Sequence, residues 1–373
     1  MNALRWSWLL VSLFGFFGLV APPAPIRLQP QPLPFTAKEY YIATVTDQRT
    51  ELLPPARLVL TVDQPAQPVN LEGGLTGGIR QFINQSLKQD RKQRPMAMRI
   101  LQLRVTETAV GNRVTGQFTF SAAFDLLGKD DFGNQTSVRL TTYRGSANYT
   151  RPVSQTTVIE PTIRRAIVSA LRNLDEYMNR EVKQNEKLAT DLKVVFTDDT
   201  RLTNDDTVHY NPARKLTWAD FQAEPRRGSH YAAEVFTSFA YEGRSTVKDG
   251  VITVNLTIKA YMLKNSSWGR ADAKTPYALN HEQRHFDITR IVAERFKRRI
   301  QPDSLTLEDY NSIIQYQFLE SYREMNRMQK QYDAETRHSI DAVAQERWNG
   351  QIDAELRTFG LKQPPARTGT LPD

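Results

Sequence analysis

The sequence predicts an α+β protein in two folded units, an N-terminal antiparallel sheet with helices followed by a short sheet that leads into three helices. Three observations carry this reading. "MRILQLRVTETAV", "RVTGQFTFSAAFDLL" and "SVRLTTYRGSANYT" are β-rich runs separated by turn residues. "TTVIEPTIRRAIVSALRNLDEYMNREV" places Ile163, Ile167, Leu171 and Leu174 at helical spacing. Beyond residue 275 the pattern turns helical almost to the end of the chain. With 373 residues, 40% of them hydrophobic, the chain is long enough for two domains that each bury a core.

Taken in order, the first 24 residues carry an export pattern. Arg5 precedes "SWLLVSLFGFFGLV" (Ser7 to Val20), an uncharged apolar stretch too short for a comfortable transmembrane helix and suited to a signal peptide. Ala21 offers a cleavage point, but Pro22 follows it, so an uncleaved N-terminal anchor is the alternative. Either way the rest of the chain is expected outside the cytoplasm: periplasmic, cell-envelope associated or secreted. Residues 25–35 form a proline-rich spacer, extended and without a core of its own. The first domain, 36–192, combines "ARLVLTVD" as a strand, "GLTGGIRQFINQSLKQD" as a helix, the three β-rich runs and the helix over 156–182. No histidine precedes His209, so this half presents no ligand cluster and reads as a binding or scaffolding domain.

The second domain, 193–358, opens with "LKVVFTDD" at its border and "RKLTWADFQ", where Thr217 can cap a brief helix with Asp220 in its first turn. "AAEVFTSFAYEG" and "GVITVNLTIKAYMLKNSSWG" alternate as strands joined by a turn at "VKDG". Helices follow at about 275–299, 305–331 and 338–357, and residues 359–373 are expected to be a disordered tail.

Composition narrows the chemistry. There is no cysteine, which removes disulfides, thiolate nucleophiles and cysteine-ligated metals and leaves histidine and carboxylate as metal ligands. The net charge of +8 suits an anionic lipid or cell-wall polymer as well as nucleic acid, but the basic residues are spread along the chain apart from "RFKRRI". No readout motif accompanies them, so no specific nucleic acid is expected.

The stretch "YALNHEQRHFDITRIVAERF" (277–296) concentrates the remaining possibilities. His281 and His285 are four apart on a helix and share a face, so both can present a nitrogen to one metal, with Glu282 one residue round and able to hold a water. The bland alternative is an amphipathic helix whose histidines are incidental. Two histidines do not complete a catalytic zinc site, and no histidine follows at the extended HExxHxxGxxH spacing. The third ligand is therefore sought in "YDAETRHS", with His338 as first choice and Asp333 second; Glu320, in the preceding helix, is third. The mundane roles there are Asp333 or Thr336 as cap of the last helix and Glu335 on its solvated first turn. Asp287 reads either as a partner that orients an imidazole or as a surface carboxylate. Tyr332 reads as an oxyanion stabiliser beside the metal or as a core tyrosine. Trp218, Trp268 and Trp348 read as packing anchors, and His209 and His230 as loop or surface residues.

The ordered set "RKLTWADF", "FTSFAY", "SSWG", "LNHEQRHFDIT" and "YDAETRHSIDAVAQERW" resembles the bacterial domain of unknown function 922, a family described as predicted zinc-dependent proteases. The resemblance covers about residues 209–357 and leaves the first domain unexplained. It implies a zincin-like metallopeptidase domain with a Zn2+ site, and its YDxETxH pattern favours His338; it supplies no substrate. The expectation is then an exported zinc-dependent metallopeptidase. Glu282 would be the general base, the substrate a peptide or protein, cell-wall peptide included, and a strand from 251–264 would align it in extended form. The competing expectation is a non-catalytic envelope binding or assembly module with a structural or vestigial zinc site.

Overall fold

The computed structural model describes residues 23–61, 64–130, 132–200 and 206–362. The Ser7–Val20 run and residues 363–373 of the expected tail lie outside these. The described chain divides after Arg180, not at 192, into two compact units, each an α+β assembly.

The first unit contains β1 (Tyr40–Asp47), β2 (Ala56–Leu58), β3 (Gln67–Val69), α1 (Gly74–Ser86), β4 (Arg94–Val110), β5 (Arg113–Lys129), β6 (Gln135–Pro152) and α2 (Ile159–Glu181). The three β-rich runs form the antiparallel meander β4-β5-β6. The sheet is nevertheless mixed, because β1 and β2 both pair parallel with β4. The reason is directional: β1 lies along Arg94–Ile100 and β2 along Val105–Thr106, successive stretches of one chain following the same partner. The proline-rich spacer is not free of the core. Ile26 donates its N–H to the Asn70 carbonyl at 2.8 Å, and Leu28 is buried. Behind the meander Arg151 and Glu107 are buried together, joined at 2.6 and 2.8 Å. Glu107 also accepts from the Tyr149 hydroxyl and the Val59 N–H, so this ion pair leaves little of its hydrogen-bonding capacity unmet.

The second unit contains β7 (Asp191–Asp198), β8 (Thr207–His209), β9 (Ala233–Glu234), β10 (Thr237–Lys248), β11 (Val251–Leu263), β12 (Trp268–Gly269), α3 (Pro276–Arg299), α4 (Tyr310–Thr336) and α5 (Ala342–Thr358). "LKVVFTDD" opens this unit: as β7 it pairs parallel with β11. Alternation along β11 buries Ile252, Val254, Leu256, Ile258, Ala260 and Met262, and Phe286, Val292, Ala293 and Phe296 of α3 join them in one core. The β10–β11 hairpin turns at Asp249 and Gly250, with φ of 52° and 78°, the left-handed pair that a two-residue turn of matching twist requires. Since β11 pairs with β10 on one side and with β7 and β8 on the other, it has no open edge for a peptide, contrary to the expectation for 251–264.

The termini of α3 and the start of α5 have local causes. Thr275 caps α3 by accepting the Ala278 N–H at 3.1 Å, Pro276 starts it, and Lys297, Arg298 and Arg299 complement the dipole at its end. A second core of Ile288, Ile291, Tyr332, Trp348, Ile352 and Leu356 joins α3, α4 and α5, and Phe359 and Leu361 pack against it, so the expected tail is ordered to residue 362. Helix α4 runs past the expected end at 331 as far as Thr336. It is followed by Arg337, His338 and Ser339, all left-handed with φ of 50°, 52° and 71°. Asp341, not Asp333 or Thr336, caps α5 by accepting the Ala344 N–H at 2.9 Å. Among the described residues no helix is long and apolar enough to cross a membrane.

Candidate metal centre

The i, i+4 spacing on α3 does what helical geometry requires: the rings of His281 and His285 lie 5.1 Å apart, both buried. Asp333 meets them from α4, its Oδ1 3.2 Å from His281 Nε2 and 2.9 Å from His285 Nε2. These three side chains form a group that can hold a metal ion, with one ligand atom from each within 4.8 Å of the others. The spacing suits a shared ion, because donors at bond lengths of about 2.0–2.1 Å in a tetrahedron stand roughly 3.3 Å apart.

The hydrogen bonds behind the group test the fit further. Gln345 of α5 is buried and lies 2.9 Å from His281 Nδ1 through Oε1, while its amide nitrogen donates to the Tyr332 hydroxyl at 2.5 Å and to Asn349 at 3.2 Å. With the amide nitrogen so engaged, Oε1 is an acceptor, His281 donates from Nδ1, and its Nε2 presents a lone pair to the carboxylate. Two lone pairs 3.2 Å apart repel, and a cation between them, a shared proton or a metal ion, offsets that repulsion. His285 Nδ1 has no hydrogen-bond partner among the described residues; its ring is held instead by edge-on packing against Tyr332 at 5.0 Å. Burial alone would raise the carboxyl pKa of Asp333, but the hydrogen bonds and charges of the two imidazoles outweigh it and hold the group well below the usual carboxylate range.

Glu282 stands beside this group without belonging to it. It lines the same cleft of about 610 Å³ as His281, His285 and Asp333, and its carboxylate accepts the Val235 N–H just beyond β9. Burial pushes its pKa up to about 7, against the lowering influence of His281 and with a further rise from Asp333.

The remaining expected residues are placed differently. His338, the first choice for third ligand, lies outside the donor triad. It sits at the rim with its side chain 44% exposed, Nδ1 3.5 Å from Asp333 Oδ1 and its ring 4.4 Å from that of Tyr231. The cause is the length of α4: because the helix continues through Asp333, that carboxylate projects beside the pair and His338 falls in the left-handed turn after it. Glu320 lies thirteen residues before Asp333 on α4, about 20 Å along the axis, and pairs with Arg323. Tyr332 is fully buried behind the histidines, stacked on His281 at 4.7 Å, its hydroxyl bonded to Gln345 and to the His281 carbonyl, and burial raises its pKa. That hydroxyl is a support for His281 and does not line the cleft where an oxyanion would form. Asp287 orients no imidazole; it is buried with Tyr210, Gln283 and Arg284. His209 is buried on β8 opposite Tyr261, not on the surface, while His230 is exposed. Trp268 and Trp348 are buried anchors, and Trp218 packs partly buried against the sheet core.

Sequence reasoning missed two supporting residues, Gln345 and Val235, for which no local pattern signals a role. Gln345→Leu removes the acceptor from His281 Nδ1 at similar volume, and metal affinity is expected to fall roughly 10- to 100-fold in a chelator competition titration, with Gln345→Glu recovering most of it. Unchanged affinity in Gln345→Leu would show that packing on Tyr332 suffices to orient the ring.

No protein-family model, curated protein or solved structure matches this chain.

Proposed function

We propose that the second unit is a zinc-dependent metallopeptidase with His281, His285 and Asp333 as protein ligands and Glu282 as general base. The observation that carries this reading is the convergence of two imidazole nitrogens and one carboxylate oxygen on a cleft that a separate buried carboxylate also lines. Two histidines and a carboxylate suit zinc, and three protein ligands opening on a cleft are the arrangement of a catalytic ion; a structural zinc is closed by four. The resemblance to the 922 family supports the same reading. The Ser7–Val20 run is consistent with export, so the proposal includes a location in the cell envelope or beyond it, with peptides and cell-wall peptides as substrates and the run as signal or anchor.

A zinc ion, when bound, supplies Lewis acidity toward water and the scissile carbonyl and brings the water's pKa to about 7. The chain supplies the rest. Gln345 fixes the His281 tautomer, and Tyr332 packs behind both imidazoles and closes that side of the site to solvent. Glu282 takes the water's proton and delivers it to the leaving amine, its carboxylate positioned by the Val235 N–H.

Metal analysis of the full chain purified without chelators, combined with hydrolysis of a peptide library, tests the proposal. About one zinc per chain is expected, with hydrolysis lost on chelation and restored by zinc. Absence of stoichiometric zinc overturns the reading, and zinc without hydrolysis leaves a binding module in its place.

A further inference from the structure

We infer that the cleft selects peptides carrying acidic side chains next to the bond to be cut; this rests on the peptidase reading above and names its substrate class. The inner part of the cleft holds the carboxylates Glu282 and Asp333, whose charge a divalent cation balances. The outer lining is cationic. Arg226 and Arg227 come from the segment before β9, and Lys330 comes from α4, one turn ahead of Asp333.

Among the described residues, Glu234 is the only acidic side chain on that outer lining, and it is already engaged. Its carboxylate accepts from Trp268 Nε1 at 3.1 Å and lies 3.6 Å from Arg226. Arg226 is therefore partly neutralised, whereas Arg227 and Lys330 have no ion-pair partner among the described residues. Both are exposed to solvent while lining the cleft, so they remain available to a bound chain. Ser229, Asn326 and Gln329 between them add neutral polar groups and no further negative charge. A peptide lying across the ion passes under two uncompensated cations, and carboxylates on it give two partly exposed ion pairs, whereas lysines meet like charge. Such pairs are individually weak and screened by salt, and together they amount to about a tenfold preference at low ionic strength.

The test uses zinc-loaded full chain carrying Glu282→Gln, which binds substrate without turning it over. It is titrated with two fluorescent peptides that differ only in having glutamate or lysine on both sides of the central bond. The expected result is roughly tenfold tighter binding of the acidic peptide at low salt, narrowing as salt is raised past a few hundred millimolar. Adding Arg227→Glu and Lys330→Glu is expected to invert the order with zinc content unchanged. No difference between the peptides overturns the inference, and so does a preference that survives the charge reversal, since it would then come from the basic surface at large. The wild-type chain is assayed in parallel for hydrolysis of both peptides. If the binding preference holds and neither is cut, the peptidase reading fails while the cleft's selectivity for acidic peptides stands.

Discussion

Glu282→Gln is expected to keep about one zinc per chain and to lose hydrolysis by roughly 10²- to 10⁴-fold, the usual contribution of a positioned general base. The two outcomes separate because Glu282 is not one of the three converging donors, yet it lines the same cleft and is held by the Val235 N–H. Glutamine preserves side-chain size and removes the proton acceptor. It also removes a buried carboxylate whose charged form burial disfavours, so no loss of folding is expected to confuse the result. Activity within a few-fold of wild type, measured beside metal content on the same preparations, would reject the mechanism.

Asp333→Ala, in contrast, is expected to abolish stoichiometric zinc. A complete zinc site binds with about 10–16 kcal/mol, and one ligand's share, roughly 3–4 kcal/mol, weakens affinity by about 10² to 10³. His338→Ala is the matched control, because its ring touches the site only through Asp333 and Tyr231. It is expected to shift affinity by no more than a few-fold in the same competition titration. The reverse order, with His338→Ala losing the ion and Asp333→Ala keeping it, would return the third-ligand role to His338.

The histidine pair was legible in the sequence because its geometry is local: i and i+4 on a helix face the same way whatever surrounds them. The third donor was legible only as one of three candidates, with Asp333 second to His338, because it lies 48 positions beyond His285 and the contact depends on how α4 crosses α3. A smaller error compounded this. "YDAETRHS" reads as a turn leading into the last helix, but Tyr332 buries completely between α3 and α5, and that burial extends α4 through Thr336. Asp333 thereby changes from a possible cap into an inward-facing donor. The meander was legible for the same local reason as the histidines, whereas the parallel pairing of β1 and β2 depends on chain direction, which alternation does not encode. The unit boundary slipped because the charged segment 181–191 has no pattern that ties it to either sheet; its attachment is through backbone bonds of Lys183 and Thr190 to Gly250 in the β10–β11 turn.

Two of the donors sit on α3 and the third on α4, and Asp333 follows His285 by 48 positions. An ion shared by them is a cross-link that exists only in the folded unit, so it works as a reversible staple across a long loop. Folding and metal loading are then a single coupled equilibrium. If the ion is the zinc proposed above, free zinc at a hundredfold excess over its dissociation constant would add about 2.7 kcal/mol to the stability of this unit. Where the metal is scarce, the same residues that would make the protein active under the proposed function would also set how long its fold lasts.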